Sequence, residues 1–186
     1  MLGYFLKLKN LIPYSCYETV FDIPFDLFYK NGKRVVLLDI DNTLIPYDMD
    51  KADEKTANLL KKLGDMGFIV YFASNNHKPR VANFASDFDY KYMANALKPF
   101  PKVFKWILKD SKVTKKEVLV VGDQLITDCL GSTRLGLDTI LVRPLKKKSE
   151  KWYTRLNRHN EQIVLKRMKK KYPSVYREIM TNHEDK

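Results

Sequence analysis

Two aspartates two residues apart, Asp39 and Asp41, follow the apolar run Val35-Val-Leu-Leu38 in the order Asp39-Ile40-Asp41-Asn42-Thr43. Branched apolar residues that end abruptly in charge read as a buried strand leaving its sheet, so both carboxylates can face one pocket. A carboxylate so placed can attack phosphorus to form an acyl phosphate. Its neighbour can donate a proton to the leaving oxygen and later activate water. Three further segments supply what that chemistry needs. Ser74-Asn75-Asn76 closes a second apolar run and offers a hydroxyl and backbone amides near a helix start, suited to phosphoryl oxygens. Lys98, just before Pro99, is a point charge able to neutralise a phosphoryl group and hold the nucleophile. Gly122-Asp123-Gln124, with Asp128 shortly after, adds the acidic oxygens that a hard divalent cation prefers. Magnesium there would screen an anionic nucleophile from an anionic substrate.

Each piece alone is ordinary: a lone Ser at a strand end is commonly a helix cap, and a lone Lys before Pro a solvated charge. Their order gives them meaning, because all fall at the ends of successive strands. Apolar runs at 35–38, 68–72, 118–121 and 139–142 predict four buried strands, and a short strand near Tyr90 to Met93 would extend them. Between them lie three predicted helices. The first places Ala57, Leu60 and Leu63 on one face, the second runs from Pro79 with Val81, Phe84 and Ala85 inward, and the third starts after Pro99 and buries Val103, Trp106 and Ile107. Alternation of this kind predicts an α/β fold with a doubly wound parallel sheet, whose ligands sit outside the carboxyl ends of the strands.

With its motifs in this order, the chain resembles the haloacid-dehalogenase-like phosphatases. Asp39-x-Asp41-Asn-Thr, Ser74, Lys98-Pro99 and Gly122-Asp123-Gln-x-x-x-Asp128 are similar to that superfamily's four motifs. Ser74-Asn75-Asn76, the run from Gly122 to Asp128 with Gly131 and Arg134 after it, and the segment 139–142 leading into a basic tail resemble the YqeG family of subclass IIIA. The segment from Pro13 to Ile23 resembles that family's lead-in. The resemblance implies a Rossmann-like catalytic domain, Asp39 as nucleophile and Asp41 as general acid and base. It further implies Ser74, Asn75 and Lys98 on the phosphoryl group. Asp39, the carbonyl of Asp41 and Asp123 would hold Mg2+, with Asp128 on the ion or supporting it. The acid at Asp41 favours a phosphatase over dehalogenases and ion-pumping ATPases, which lack one there. About 30 residues separate Thr43 from Ser74, too few for an inserted cap domain, so the pocket is expected to be open. Mitochondrial relatives of the family resemble phosphatidylglycerophosphate phosphatases, which would make a phospholipid headgroup the substrate. A small soluble phosphate ester or a nucleic-acid end is the alternative. A phosphoacceptor receiver domain fits less well, because receivers place the acceptor Asp on the third strand.

The 186 residues suit one domain with extensions: 1–30 packing on the core, 31–145 catalytic, and 146–186 basic and helical. Hydrophobic residues make up 45% and charged residues 30%, yet the net charge is +12. From Arg143 onward, 14 Lys and Arg stand against 5 Asp and Glu, so the excess is concentrated in the C-terminal arm. Cys16 and Cys129 have no Cys or His at ligand spacing, which reads as a reducing cytoplasm. No stretch has the length to span a bilayer. In the arm, Trp152, Leu156 and Ile163 recur at helical spacing among Arg155, Arg158, Lys166 and Arg167. That stripe either docks on the domain or, with Trp152 and Tyr153, makes a peripheral contact with an anionic membrane at the inner surface. Nucleic acid ranks behind both as a partner. The stretch from Tyr4 to Ile12 has a similar mixture and could form a second interfacial element, with packing on the sheet as the favoured fate.

Overall fold

In a computed structural model that describes residues 2–146 and 152–181, the predicted parallel sheet is present. Its strands are β1 (Ser15–Tyr17), β2 (Val35–Leu38), β3 (Ile69–Ala73), β4 (Lys91–Met93), β5 (Val118–Gly122) and β6 (Asp138–Val142). They pair in the order β1-β6-β5-β2-β3-β4, every pair parallel. The helices are α1 (Phe25–Lys30), α2 (Glu54–Asp65), α3 (Lys78–Ala85), α4 (Lys102–Ser111), α5 (Leu130–Thr133), α6 (Trp152–Lys171) and α7 (Pro173–Thr181).

All four residues of β2 and all five of β5 are buried, because helices cover both faces of the sheet. Alternate side chains go to opposite layers. Val36, Leu38, Val70, Phe72 and Val121 meet Phe25 of α1, Leu60 and Leu63 of α2, and Val81 and Phe84 of α3. Val35, Leu37, Tyr71 and Val120 meet Val103, Phe104 and Ile107 of α4. The chain order of apolar and polar residues thus fixes which helix lies on which face. Only a loop and α2 lie between β2 and β3, so no cap is inserted there.

Several expectations need correcting. Trp106 is only partly buried, edge-on to Tyr71 at 5.3 Å, and Phe104 takes the core position instead. On α2, Thr56 rather than Ala57 is buried, because its hydroxyl bonds the carbonyl of Leu44 at 3.1 Å. The N-terminal stretch contributes β1 to the sheet edge beside β6, which Ser-Cys-Tyr did not advertise. On α6 the buried face is Asn160, Glu161, Val164 and Met168, while Leu156 is 54% exposed and Ile163 half-buried. The helix docks, but through a different stripe from the one the apolar spacing picks out. The contact expected of Trp152 and Tyr153 falls on side chains outside those described.

Candidate active site

The carboxyl ends of β2, β3 and β5 set the site. One residue past the Leu38↔Val121 pair, the Asp39 amide donates to the carbonyl of Val121 at 2.9 Å, which keeps Asp39 in register as the chain leaves the sheet. Asn42 then adopts a left-handed conformation (φ 65°), tolerable for Asn, and the turn folds Asp41 back beside Ile45. Beyond β5, Gly122 lies against Asp128: a Cβ there would stand 2.2 Å from the Asp128 carboxyl carbon. Asp128 itself rides a widened helical turn, Leu125–Cys129, of the kind common at functional sites.

At the centre is Lys98. Its ammonium, 3% exposed, donates to Asp39 Oδ1 at 2.6 Å, Asp128 Oδ1 at 2.7 Å and the Ala73 carbonyl at 3.0 Å. Burial alone would discharge it, but Asp128 and Asp39 reverse that and raise its pKa, so it stays a cation. Burial pushes Asp39 well above the usual carboxylate range, with Lys98 working against the shift. Asp123 is likewise pushed up to about 7 by burial, although the Arg158 guanidinium opposes it. Asp41 is held at both oxygens. Oδ1 accepts from Arg80 Nε at 2.7 Å, and Oδ2 from Ser74 Oγ at 2.8 Å and Asn76 Nδ2 at 3.4 Å.

Asp39, Asp41, Ser74, Asn75 and Lys98 all line one cavity of about 40 Å³, together with Tyr47, Gln124 and Thr127. Among the described residues no three acidic, His or Cys side chains are grouped as a ready-made metal cage, although the charges of Asp128, Asp123 and Asp41 all bear on Asp39. The side-chain oxygens of Asp41 serve the donors just named. Asp128 gives Oδ1 to Lys98, and its Oδ2 accepts from the Gln124 amide at 3.1 Å and Thr127 Oγ1 at 3.2 Å. Asn75 was expected on the phosphoryl group, yet its side chain latches the backbone of Lys98, donating at 2.9 Å and accepting at 2.7 Å. Ser74 directs its single proton to Asp41, so holding a phosphoryl oxygen would need that hydroxyl to turn.

A cation with few protein ligands still fits. Asp123 Oδ1 is buried with no hydrogen-bond partner, and Asp39 and Asp123 leave adjacent strands. Magnesium takes one or two carboxylates and keeps several waters. Charge agrees as well. Asp39, Asp123, Asp128 and Glu161, when ionised, face Lys98 and Arg158, leaving two negative charges for a divalent ion to balance.

Arg158 and Glu161 of α6 were not anticipated here. Arg158 forms a short ion pair with Asp123 Oδ2 and donates to the Asp123 carbonyl at 2.8 Å, while Glu161 accepts from Arg158 at 3.2 Å and from the Ile126 amide at 3.1 Å. Nothing local in the sequence marks either residue. Arg80 was missed for the same reason, although its place in the first turn of α3, just past the Ser74 turn, is a usable signal.

The chain is similar in sequence and in fold to known proteins. A family model for haloacid-dehalogenase (HAD)-like hydrolases matches residues 96–166. The "Probable phosphatase YqeG" of Bacillus subtilis is 31% identical over 163 residues, covering 88% of this chain and 94% of that protein. A glyceraldehyde 3-phosphate phosphatase of Pyrococcus abyssi is 44% identical over 43 residues, 23% of this chain and 18% of that protein. Among solved structures, a HAD family enzyme from Bacteroides thetaiotaomicron, in complex with magnesium and inorganic phosphate, shares the fold. Its TM-score is 0.51 at 16% identity over 66% of this chain and 98% of that one. Identity that runs the length of both chains, on a sheet that carries the expected motifs to one cavity, places this chain in the YqeG family of haloacid-dehalogenase-like phosphatases.

Proposed function

We propose that the protein hydrolyses phosphate monoesters through an aspartyl-phosphate intermediate with magnesium as cofactor, and that its substrate is phosphatidylglycerophosphate. Asp39 Oδ1 is occupied by Lys98, which leaves Oδ2 to bond phosphorus as the bond to the leaving oxygen breaks. Asp41 gives that oxygen its proton, then takes one from the water that attacks phosphorus, and phosphate and free Asp39 are released. Lys98 neutralises the phosphoryl oxygens and fixes the nucleophile. Asp39, Asp123 and the carbonyl of Asp41 would hold magnesium, which supplies positive charge to nucleophile and phosphoryl group alike. Asp128 serves by anchoring Lys98, and Asn75 by fixing the Lys98 loop.

The observation that carries the substrate reading is the cavity itself. About 40 Å³ admits a few water-sized groups, hence a phosphoryl group and nothing larger. The rest of the substrate must stay outside, with no cap inserted between β2 and β3 to enclose it. An ester whose body is embedded elsewhere suits such a site, and a lipid headgroup is that kind of ester. The test is phosphate release from phosphatidylglycerophosphate in mixed micelles with magnesium, beside a panel of sugar and nucleotide phosphates. Preference for the lipid is expected, and Asp39→Asn should lower turnover by at least about a thousandfold. Rapid turnover of a soluble ester with none of the lipid would remove the substrate assignment, and an unimpaired Asp39→Asn would remove the nucleophile.

A further inference from the structure

Beside the sheet edge, the N-terminal turn divides its apolar side chains between two fates. Leu8 and Leu11 are buried with Leu125, Leu130, Leu141, Val164 and Met168, whereas Tyr4 is 58% and Phe5 85% exposed. The exposure does not come from a loose end. The Gly3 amide donates to Asn160 Oδ1 at 3.1 Å, and the Arg167 guanidinium donates to the carbonyls of Gly3 and of Leu6, the latter at 3.0 Å. A Cβ at Gly3 would sit 2.6 Å from the Asn160 carbonyl oxygen, so the turn lies directly on α6. Two rings are therefore held outward on a clamped backbone, which lowers the entropy that any contact through them must overcome.

Cations share a groove with Phe5. A groove of about 480 Å³ is lined by Phe5, Lys7, Lys9, Arg167, Lys171 and Tyr172 together with Leu6 and Leu8, with no acidic residue in its walls among the described residues. Lys7, Lys9 and Lys171 are exposed, as are Lys169 and Lys170 on the last turn of α6. Exposed aromatic rings flanked by Lys and Arg match a membrane interface, where rings settle at headgroup depth and cations meet lipid phosphates. A protein partner would leave the excess of cations unexplained. A nucleic acid would use the charges, and Phe5 in the groove could stack on a base, but Tyr4, exposed and outside the groove's lining, would be left without one.

We propose that this face docks on an anionic lipid bilayer, with Tyr4 and Phe5 entering the headgroup layer and Lys7, Lys9 and Lys171 meeting its charge. The inference goes beyond the substrate reading and does not require it. It does give that reading a geometry: Arg167, which clamps the turn, and Arg158, which pairs with Asp123, are nine residues apart on one helix, about 14 Å along its axis.

The experiment is co-sedimentation of the full chain with vesicles of phosphatidylcholine alone, or mixed with phosphatidylglycerol, at low and high salt. Binding to the anionic vesicles alone, weakened by salt, is expected. Lys7→Glu with Lys9→Glu should reduce it by about tenfold or more, and Tyr4→Ser with Phe5→Ser severalfold. Hydrolysis of p-nitrophenyl phosphate by these variants should stay at the wild-type rate, which reports that they are folded. Equal binding to both vesicle types, or variants that bind as wild type does, would overturn the proposal. So would tight binding to single-stranded oligonucleotides without binding to vesicles. Vesicle binding without hydrolysis of phosphatidylglycerophosphate would sink the substrate reading alone, and the reverse result would sink the docking alone.

Discussion

At the scale of single residues, the site is a set of buried charges that, when ionised, is left two negative. Asp123, lifted to about 7 by burial against the pull of Arg158, shows the consequence. Its folded pKa lies above the ordinary value of 3.8, so in metal-free protein the folded state binds more protons than the unfolded chain between about pH 4 and 7. Stability from this group therefore falls as pH rises through that window. Magnesium competes with the proton, so its stabilising effect should grow as pH rises from 5 to 8. Thermal melts in EDTA and in magnesium across that range measure it. A second outcome concerns Gly122. Adding a methyl there drives into the Asp128 carboxyl, whose displacement loosens Lys98. Gly122→Ala should cost about 1–3 kcal/mol in stability and lower kcat more than it raises KM, read by denaturant melts and steady-state kinetics.

At the scale of elements, α6 belongs to the active site as much as to the surface. Its Arg158 faces a fully buried Asp123 side chain. Removing one partner of such a pair leaves the other charge stranded, at about 3 kcal/mol. Arg158→Gln is expected to destabilise the metal-free protein by that order, and magnesium should restore most of the loss by supplying the missing positive charge. Melts with and without the metal decide it. This helix also marks where sequence reading stops. The placing of Asp39, Asp41, Ser74 and Asp123 was legible because each follows closely on an apolar run, so a local pattern fixes a place at the sheet's end, and that of Lys98 from its position before Pro99. Arg158 meets Asp123 across 35 residues, and Arg80 meets Asp41 across 39. Only the packing of whole helices brings those pairs together, and Arg158, among many basic residues, carries no mark of it, whereas Arg80 has the signal of its place in the first turn of α3. β1 was missed because three residues hold too little periodicity to register, and the hydrogen bonds of Asn75 to the Lys98 backbone because the type of a side chain does not say which of its neighbours will use it.

At the scale of the whole molecule, the layers were legible and their trimmings were not. Alternating runs dictated the doubly wound sheet, whereas the burial of Asn160 and Glu161 instead of Leu156 depended on what α6 meets on arrival. The small open cavity has one more consequence, for how catalysis is switched off by its own products. The cavity has room for a phosphoryl group and none for the body of the ester, so in the proposed reaction the freed alcohol has no pocket to return to. Inorganic phosphate and its tetrahedral mimics, such as vanadate, should compete with substrate, with one inhibition constant whichever ester is being cleaved. The freed alcohol should leave the rate unchanged even at high concentration, as progress curves spiked with each product would show.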